Sequence, residues 1–211
     1  MIGNRDMSGR RQIARTGKTE PGPWALPGPW SELFVEGVGI RPFLEVDAAG
    51  MFEAVEESRK ELGAWMVWCS PEYSLADSKE FSTARSVESK AGKVESLVIF
   101  DWVDGSFLGS VGLSDFKIEH RVANLGYWVR TARTRQGVAS AAVRLMARYA
   151  FEQLGFERLE LVVPLANEAS LRVAAKVGAK LEGVMRRRVI LNGCSHDAAL
   201  YSLIRSDFAV G

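Results

Sequence analysis

Two cysteines and two histidines in 211 residues rule out several kinds of chemistry at once. Cys69 and Cys194 make neither a disulfide framework nor a metal-ligand spacing, which is the cysteine usage of a reducing compartment. A net charge of +1 supplies no global field for nucleic acid or a membrane surface. Apolar runs are short, as in Leu97 to Phe100, against the ~20 residues that a membrane helix needs. No apolar signal-peptide core follows the basic N-terminus. Neither a G-x-x-x-x-G-K-[ST] loop nor a G-x-G-x-x-G turn occurs, and no internal repeat is present. The expectation is a cytoplasmic protein with no metal, nucleic-acid or membrane partner; homodimerisation is left open.

What is present is a globular composition, 47% apolar and 25% charged, and a length that fits one domain with some extra. The extra is at the front. Residues 1 to 20 carry Arg5, Arg10, Arg11, Arg15 and Lys18 against Asp6 and Glu20, and PGPWALPGPW after them holds four of the seven prolines. No helix or central strand fits there. Residues 1–30 are expected to be a disordered tail, or an arm docked through Trp24, Leu26 and Trp30, and residues 31–211 a single domain.

Along the domain, Leu33 to Arg41 alternates as a first strand closed by Pro42. Asp47 is placed to cap a helix with Met51, Phe52 and Val55 on one face and a solvated Glu53, Glu56 and Glu57 on the other. Trp65, Met66 and Trp68 form an apolar patch, either core or substrate-facing. Ser74 and Asp77 have capping-box spacing for a helix through about Ser89. Val94–Val103 and Phe107–Phe116 read as a hairpin about Asp104-Gly105, and Lys180–Leu191 and His196–Ile204 as another about Asn192-Gly193.

The stretch Leu125–Val143 organises the rest. Leu125, Tyr127 and Val129 alternate as a strand; from Gly137 the apolar residues recur at helical spacing, through Val138, Ala142, Leu145, Met146, Tyr149 and Leu154. A helix start presents unpaired N–H groups and partial positive charge, so the loop between suits a phosphate or pyrophosphate. Gly137 permits close approach, Ala139 and Ser140 keep it open, and Arg133 and Arg135 add charge. An ordinary glycine-capped loop is the plain alternative. A second β-α unit follows, with strand Arg158–Val163, a helix from about Glu168 to Val177, and Gly178 as its stop.

Residues Leu125–Ser140 resemble the acetyl-coenzyme A signature of the GNAT N-acetyltransferases, Arg/Gln-x-x-Gly-x-Gly/Ala, with Thr134 standing where Arg or Gln is usual. Asn167, Ser170, Lys176 and Gly178 are similar to the N-x-x-S-x-x-x-x-x-K-x-G segment of the RimJ- and RimL-like branch, and Asp197 and Tyr201 to its D-x-x-x-Y. The likeness spans roughly residues 33 to 208. It implies an α/β GNAT fold, a mixed sheet of about seven strands splayed between the fourth and fifth. It further implies acetyl transfer from acetyl-CoA to a primary amine, a protein N-terminus or a small molecule. Cofactor contacts would fall on Val129, Arg130, Arg133, Thr134, Arg135, Gln136, Gly137, Val138, Ala139, Ser140, Asn167 and Ser170.

Such a reaction needs a neutral amine, a polarised carbonyl and a proton for the thiolate. The resemblance assigns the carbonyl to a main-chain N–H near Val129 or Arg130 and the proton to Ser170, although N-x-x-S is also an ordinary N-cap spacing. The strand position where relatives often carry glutamate is Asn124, which cannot act as a base. Candidates that remain are Glu119, His120, Asp197 and Tyr201. Without that glutamate an α-amine, or another weakly basic amine, is the easier acceptor. A domain that binds acyl-CoA as a sensor or scaffold, without catalysis, is the alternative.

Overall fold

The computed structural model describes residues 33–90 and 96–207, so the expected tail lies outside the described residues. Eight strands form one sheet in the order β1-β2-β3-β4-β5-β6-β8-β7. In chain order they are β1 Phe34–Val35, β2 Val38–Pro42, β3 Ser96–Asp101, β4 Phe107–Lys117, β5 Val122–Val129, β6 Arg158–Pro164, β7 Lys180–Leu191 and β8 Cys194–Ile204. Helices α1 Asp47–Gly63 and α2 Leu75–Lys90 cover one face, and α3 Val138–Glu152 and α4 Glu168–Lys176 the other. All neighbouring strands are antiparallel except β5 and β6.

The strand expected over Leu33–Arg41 is instead the β1–β2 hairpin, which raises the strand total from about seven to eight. Glu36 and Gly37 sit at φ 52° and 80°, the pair of left-handed residues that a tight two-residue turn requires. Pro42 closes β2 as its last residue, paired with Leu97. Past Gly39, β2 has lost its β1 neighbour, so the missing N–H leaves no ladder bond unmade.

Asp47 opens α1 but does not cap it. Its carboxylate turns inward and accepts from Arg41 Nη1 and Nη2, both at 2.7 Å, and from the Leu44 N–H at 2.7 Å. Both residues are buried, and the guanidinium also lies 5.4 Å from the Phe100 ring centroid. Satisfying a buried charge outweighs the ~1 kcal/mol of a cap. Ser74 and Asp77 do start α2 as the spacing predicts, through Ser74 N–H and hydroxyl bonds to Asp77 Oδ2 at 2.7 and 2.6 Å. Helix α3 stops at Glu152, short of the last position of the periodic pattern, and leaves Leu154 exposed.

The feature that positions the site is the limited contact between β5 and β6. They pair only at Val122–Arg158, Ala123–Leu159 and Asn124–Glu160, although β5 runs on to Val129 and β6 to Pro164. Beyond Asn124 the two strands part. At the closed end, Arg158 Nη1 and Nη2 donate to Glu182 at 2.6 and 2.5 Å, and Ser202 donates to the same carboxylate at 2.7 Å, tying β6 and β7 across β8.

Two outcomes test these tethers. Asp47→Ala should cost about 3–5 kcal/mol in urea unfolding, because a buried guanidinium loses its partner; a loss under about 1 kcal/mol would contradict the buried pair. Glu182 is held down to about 2, first by Arg158 and then by Ser202. Its contribution is therefore present above the unfolded carboxyl value and lost as pH falls toward 2. Stability of Glu182→Gln should vary less than wild type between pH 4.5 and 2; identical profiles would contradict the tether.

Candidate active site

Between β5 and α3 the chain makes a 3-10 turn, Thr131–Arg133, followed by Thr134–Gly137. Arg135 at φ 60° and Gly137 at φ 85° alternate with residues of ordinary φ, which turns successive N–H groups toward one side. Ala141 is the first residue of α3 whose N–H finds an intrahelical partner, Gly137 O at 2.9 Å. Among the described residues nothing accepts from the N–H groups of Gln136, Gly137, Val138, Ala139 or Ser140. A Cβ built on Gly137 would meet nothing within 4 Å, so the space in front of these amides is open. Val138 and Ser140 turn their side chains into the fold, Gln136 Nε2 donates back to Ala132 O at 2.9 Å, and Arg135 is exposed at the rim. Arg133 lies 3.4 Å from Asp101, and Thr134 is tied to Thr131 O by its hydroxyl at 2.8 Å.

The loop is held from α1, and here the sequence reading is corrected. Glu57, assigned to a solvated acidic face, accepts from Arg130 Nε at 3.0 Å and from the Ala132 N–H at 2.7 Å. The Arg130 guanidinium, and after it the Ala132 N–H, holds this carboxyl below its usual range. Buried Ser58 accepts the Thr131 N–H at 2.8 Å. No spacing rule singles out Glu57 from its two neighbouring glutamates; only the tertiary contact does.

The splay opens directly beside the loop. Arg130 N–H donates to Leu108 O at 2.8 Å, so it is spent on β4 and is not the free donor considered for the carbonyl. Alternation along an antiparallel pair turns the N–H groups of Tyr127 and Val129 the other way, into the gap toward β6. Gly109 is what lets β4 press this close: a Cβ there would fall 2.1 Å from Trp128 O.

Across the gap, Asn167 caps α4 by accepting the Ser170 N–H at 3.1 Å. The Ser170 hydroxyl in turn lies 2.7 Å from the Tyr127 hydroxyl, a β5 partner that no sequence motif indicated. Burial pushes the Tyr127 phenol up, and the Ser170 bond offsets part of that. Glu119 and His120 sit in an exposed 3-10 turn before β5, about 17 Å along the strand from Tyr127 at the ordinary rise per residue. Tyr201 packs against the core from β8, and Asp197 receives the Arg187 N–H at 2.8 Å. None of these four lines the large cavity that opens on the α1–α2 face of the sheet, whose walls include Trp68, Tyr73 and Trp128. Trp65 faces a smaller one beside Pro164. Among the described residues there is no cluster of three or more His, Cys, Asp or Glu that could hold a metal, and no helix long and apolar enough to cross a membrane.

Comparison with known proteins agrees with this architecture. The model of the acetyltransferase (GNAT) domain family matches residues 38–180. Bacillus subtilis YdaF, whose name is that of a ribosomal N-acetyltransferase, is 27% identical over 175 residues, covering 82% of this chain and 94% of its own. The ribosomal-protein-serine acetyltransferase of Escherichia coli is 20% identical over 80% of this chain and 93% of its own. Among solved structures, Mycobacterium smegmatis RimJ in complex with CoA-disulfide superposes with a TM-score of 0.71 at 26% identity, covering 82% of this chain and 84% of that one. With the parted strands, the open amides and the match over most of the chain in view, the protein belongs to the GNAT acetyltransferase family.

Proposed function

We propose that the chain moves an acetyl group from acetyl-CoA to a primary amine, an N-terminal α-amine or a small amine, by direct attack in a ternary complex. The observation that carries this reading is the row of unpaired amides from Gln136 to Ser140 beside the β5–β6 splay. A diphosphate supplies the acceptors those amides lack, and the helix dipole and Arg135 favour its charge. Acetyl-CoA, so held, brings a thioester and a thiol leaving group. The N–H groups of Tyr127 and Val129 face the gap and can receive the oxygen on which charge grows. The amine nitrogen bonds to the acyl carbon as the carbon–sulfur bond breaks; one proton leaves nitrogen and one reaches sulfur. The Ser170 hydroxyl supplies the second, and its Tyr127 partner at 2.7 Å can replace it. Asn124 leaves the first to solvent water, and an amine of low basicity can arrive already neutral. The Tyr127–Ser170 pair favours catalysis over a purely sensing role.

Gly137→Asp keeps a residue type that tolerates the left-handed region and sets a negative charge among the amides. Acetyl-CoA affinity should fall about 100-fold or more, with an unfolding midpoint close to wild type; unchanged affinity by calorimetry would remove the cradle. Ser170→Ala should slow thiol release about tenfold or more while changing acetyl-CoA affinity less than about threefold. Equal turnover would remove Ser170 from the chemistry, and acetyl-CoA binding without thiol release from any amine would favour the sensor.

A further inference from the structure

On the α1–α2 face, a cavity of about 630 Å³ meets the parted edge of β5 at Gly126, Tyr127 and Trp128. Its floor is a place where a sheet ordinarily carries large side chains. Here three neighbouring strands put Ser96, Gly112 and Gly126 in one cross-strand row, with Ser110 and Ser114 on either side along β4. A Cβ on Gly126 would meet nothing within 4 Å, so the room belongs to the cavity and is not filled from the opposite wall. The walls are Met51, Met66, Trp68, Tyr73, Phe81 and Trp128. Trp68 is 41% exposed, with its ring 5.6 Å from that of Tyr73 and 5.8 Å from that of Trp128. Besides the serines, two carboxylates, Glu72 and Asp77, line the cavity.

We infer that this cavity takes the body of the acceptor, and that the acceptor is a small primary amine carried on an aromatic or branched apolar group, of the arylalkylamine class. The inference rests on the transferase reading and narrows it. The volume is that of a pocket for a small organic molecule, whereas the side chain of an alanine or serine N-terminus would leave most of the apolar wall wet. The lining also addresses the missing base. Glu72 and Asp77 attract the ammonium form, and transfer into the apolar interior then favours the neutral amine. Part of the work that a glutamate would do at Asn124 thus falls to desolvation. Asn124 has another use: its amide donates to Ser114 at 3.3 Å on the cavity floor, and its buried Oδ1 has no partner.

The test is steady-state thiol release by the full chain with acetyl-CoA and three kinds of acceptor: 2-phenylethylamine and tryptamine, spermidine, and peptides beginning with Ala or Ser. Acetyl-CoA binding is followed in parallel by thermal shift. The arylalkylamines should exceed the peptides and spermidine in kcat/KM by about tenfold or more, the return from burying a ring. Gly126→Leu, whose Cβ meets no atom within 4 Å, should raise KM for 2-phenylethylamine about tenfold or more and leave the acetyl-CoA affinity within about threefold. Trp68→Ala should act in the same direction. Peptides or spermidine outrunning the arylalkylamines, or Gly126→Leu leaving KM unchanged, would overturn the acceptor assignment while the transferase reading stands. Acetyl-CoA binding with no amine turned over would also overturn it. Absence of acetyl-CoA binding would bring down the transferase reading itself.

Discussion

The constraint on which the rest depends is the divergence of β5 and β6 after only three paired positions. A parallel pair that stops pairing leaves main-chain groups bare in the middle of a sheet, which is costly unless something completes them. Here the bare edge of β5 at Tyr127 and Val129 and the unpaired N–H groups from Gln136 to Ser140 flank a short loop whose own N–H groups, from Arg130 to Thr134, are all paired. The surrounding structure maintains the divergence. Gly109 lets β4 hold the far edge of β5 at Trp128 and Val129, and Arg158 clamps the closed end through Glu182. Helix α1 holds the loop through Glu57 and Ser58.

That arrangement divides the labour between the two faces of the sheet. On the α3–α4 face the hydroxyls of Tyr127 and Ser170 lie together across the gap, where a leaving group needs a proton. On the α1–α2 face small residues on β3, β4 and β5 leave a cavity where an incoming nucleophile needs space. Because consecutive residues of β5 point to opposite faces, Tyr127 serves the first and its neighbours Gly126 and Trp128 serve the second. On the proposed reading, a single eight-residue strand thus separates donor chemistry from acceptor recognition.

Much of this was legible in the sequence because it is local. The strand-to-helix change at Gly137, the Ser74–Asp77 start, the hairpin at Asn192-Gly193 and the Asn167 cap all arise from contacts within a few residues. What stayed hidden is tertiary. Asp47 has the chemistry of a cap, yet the buried guanidinium of Arg41, six residues earlier on β2, claims it. Glu57 looked like any solvated glutamate until the fold brought residue 132 to it. The Leu33–Arg41 alternation survived a two-residue turn because Glu36 is an unusual occupant of a left-handed position. Tyr127 read as a strand aromatic, and only the approach of α4 gives its hydroxyl a partner. His120 and Glu119 had suitable side chains, but they lie toward the closed end of β5, away from the open one.

The most direct measurement is the backbone amide spectrum of the protein on titration with acetyl-CoA, read at Gln136 to Ser140 and at Tyr127 and Val129. If the open amides grip the diphosphate and the strand receives the thioester arm, those resonances shift together, saturate with one affinity and gain protection from hydrogen exchange. Saturable binding that leaves them unmoved, with the changes confined elsewhere on the sheet, would contradict the account.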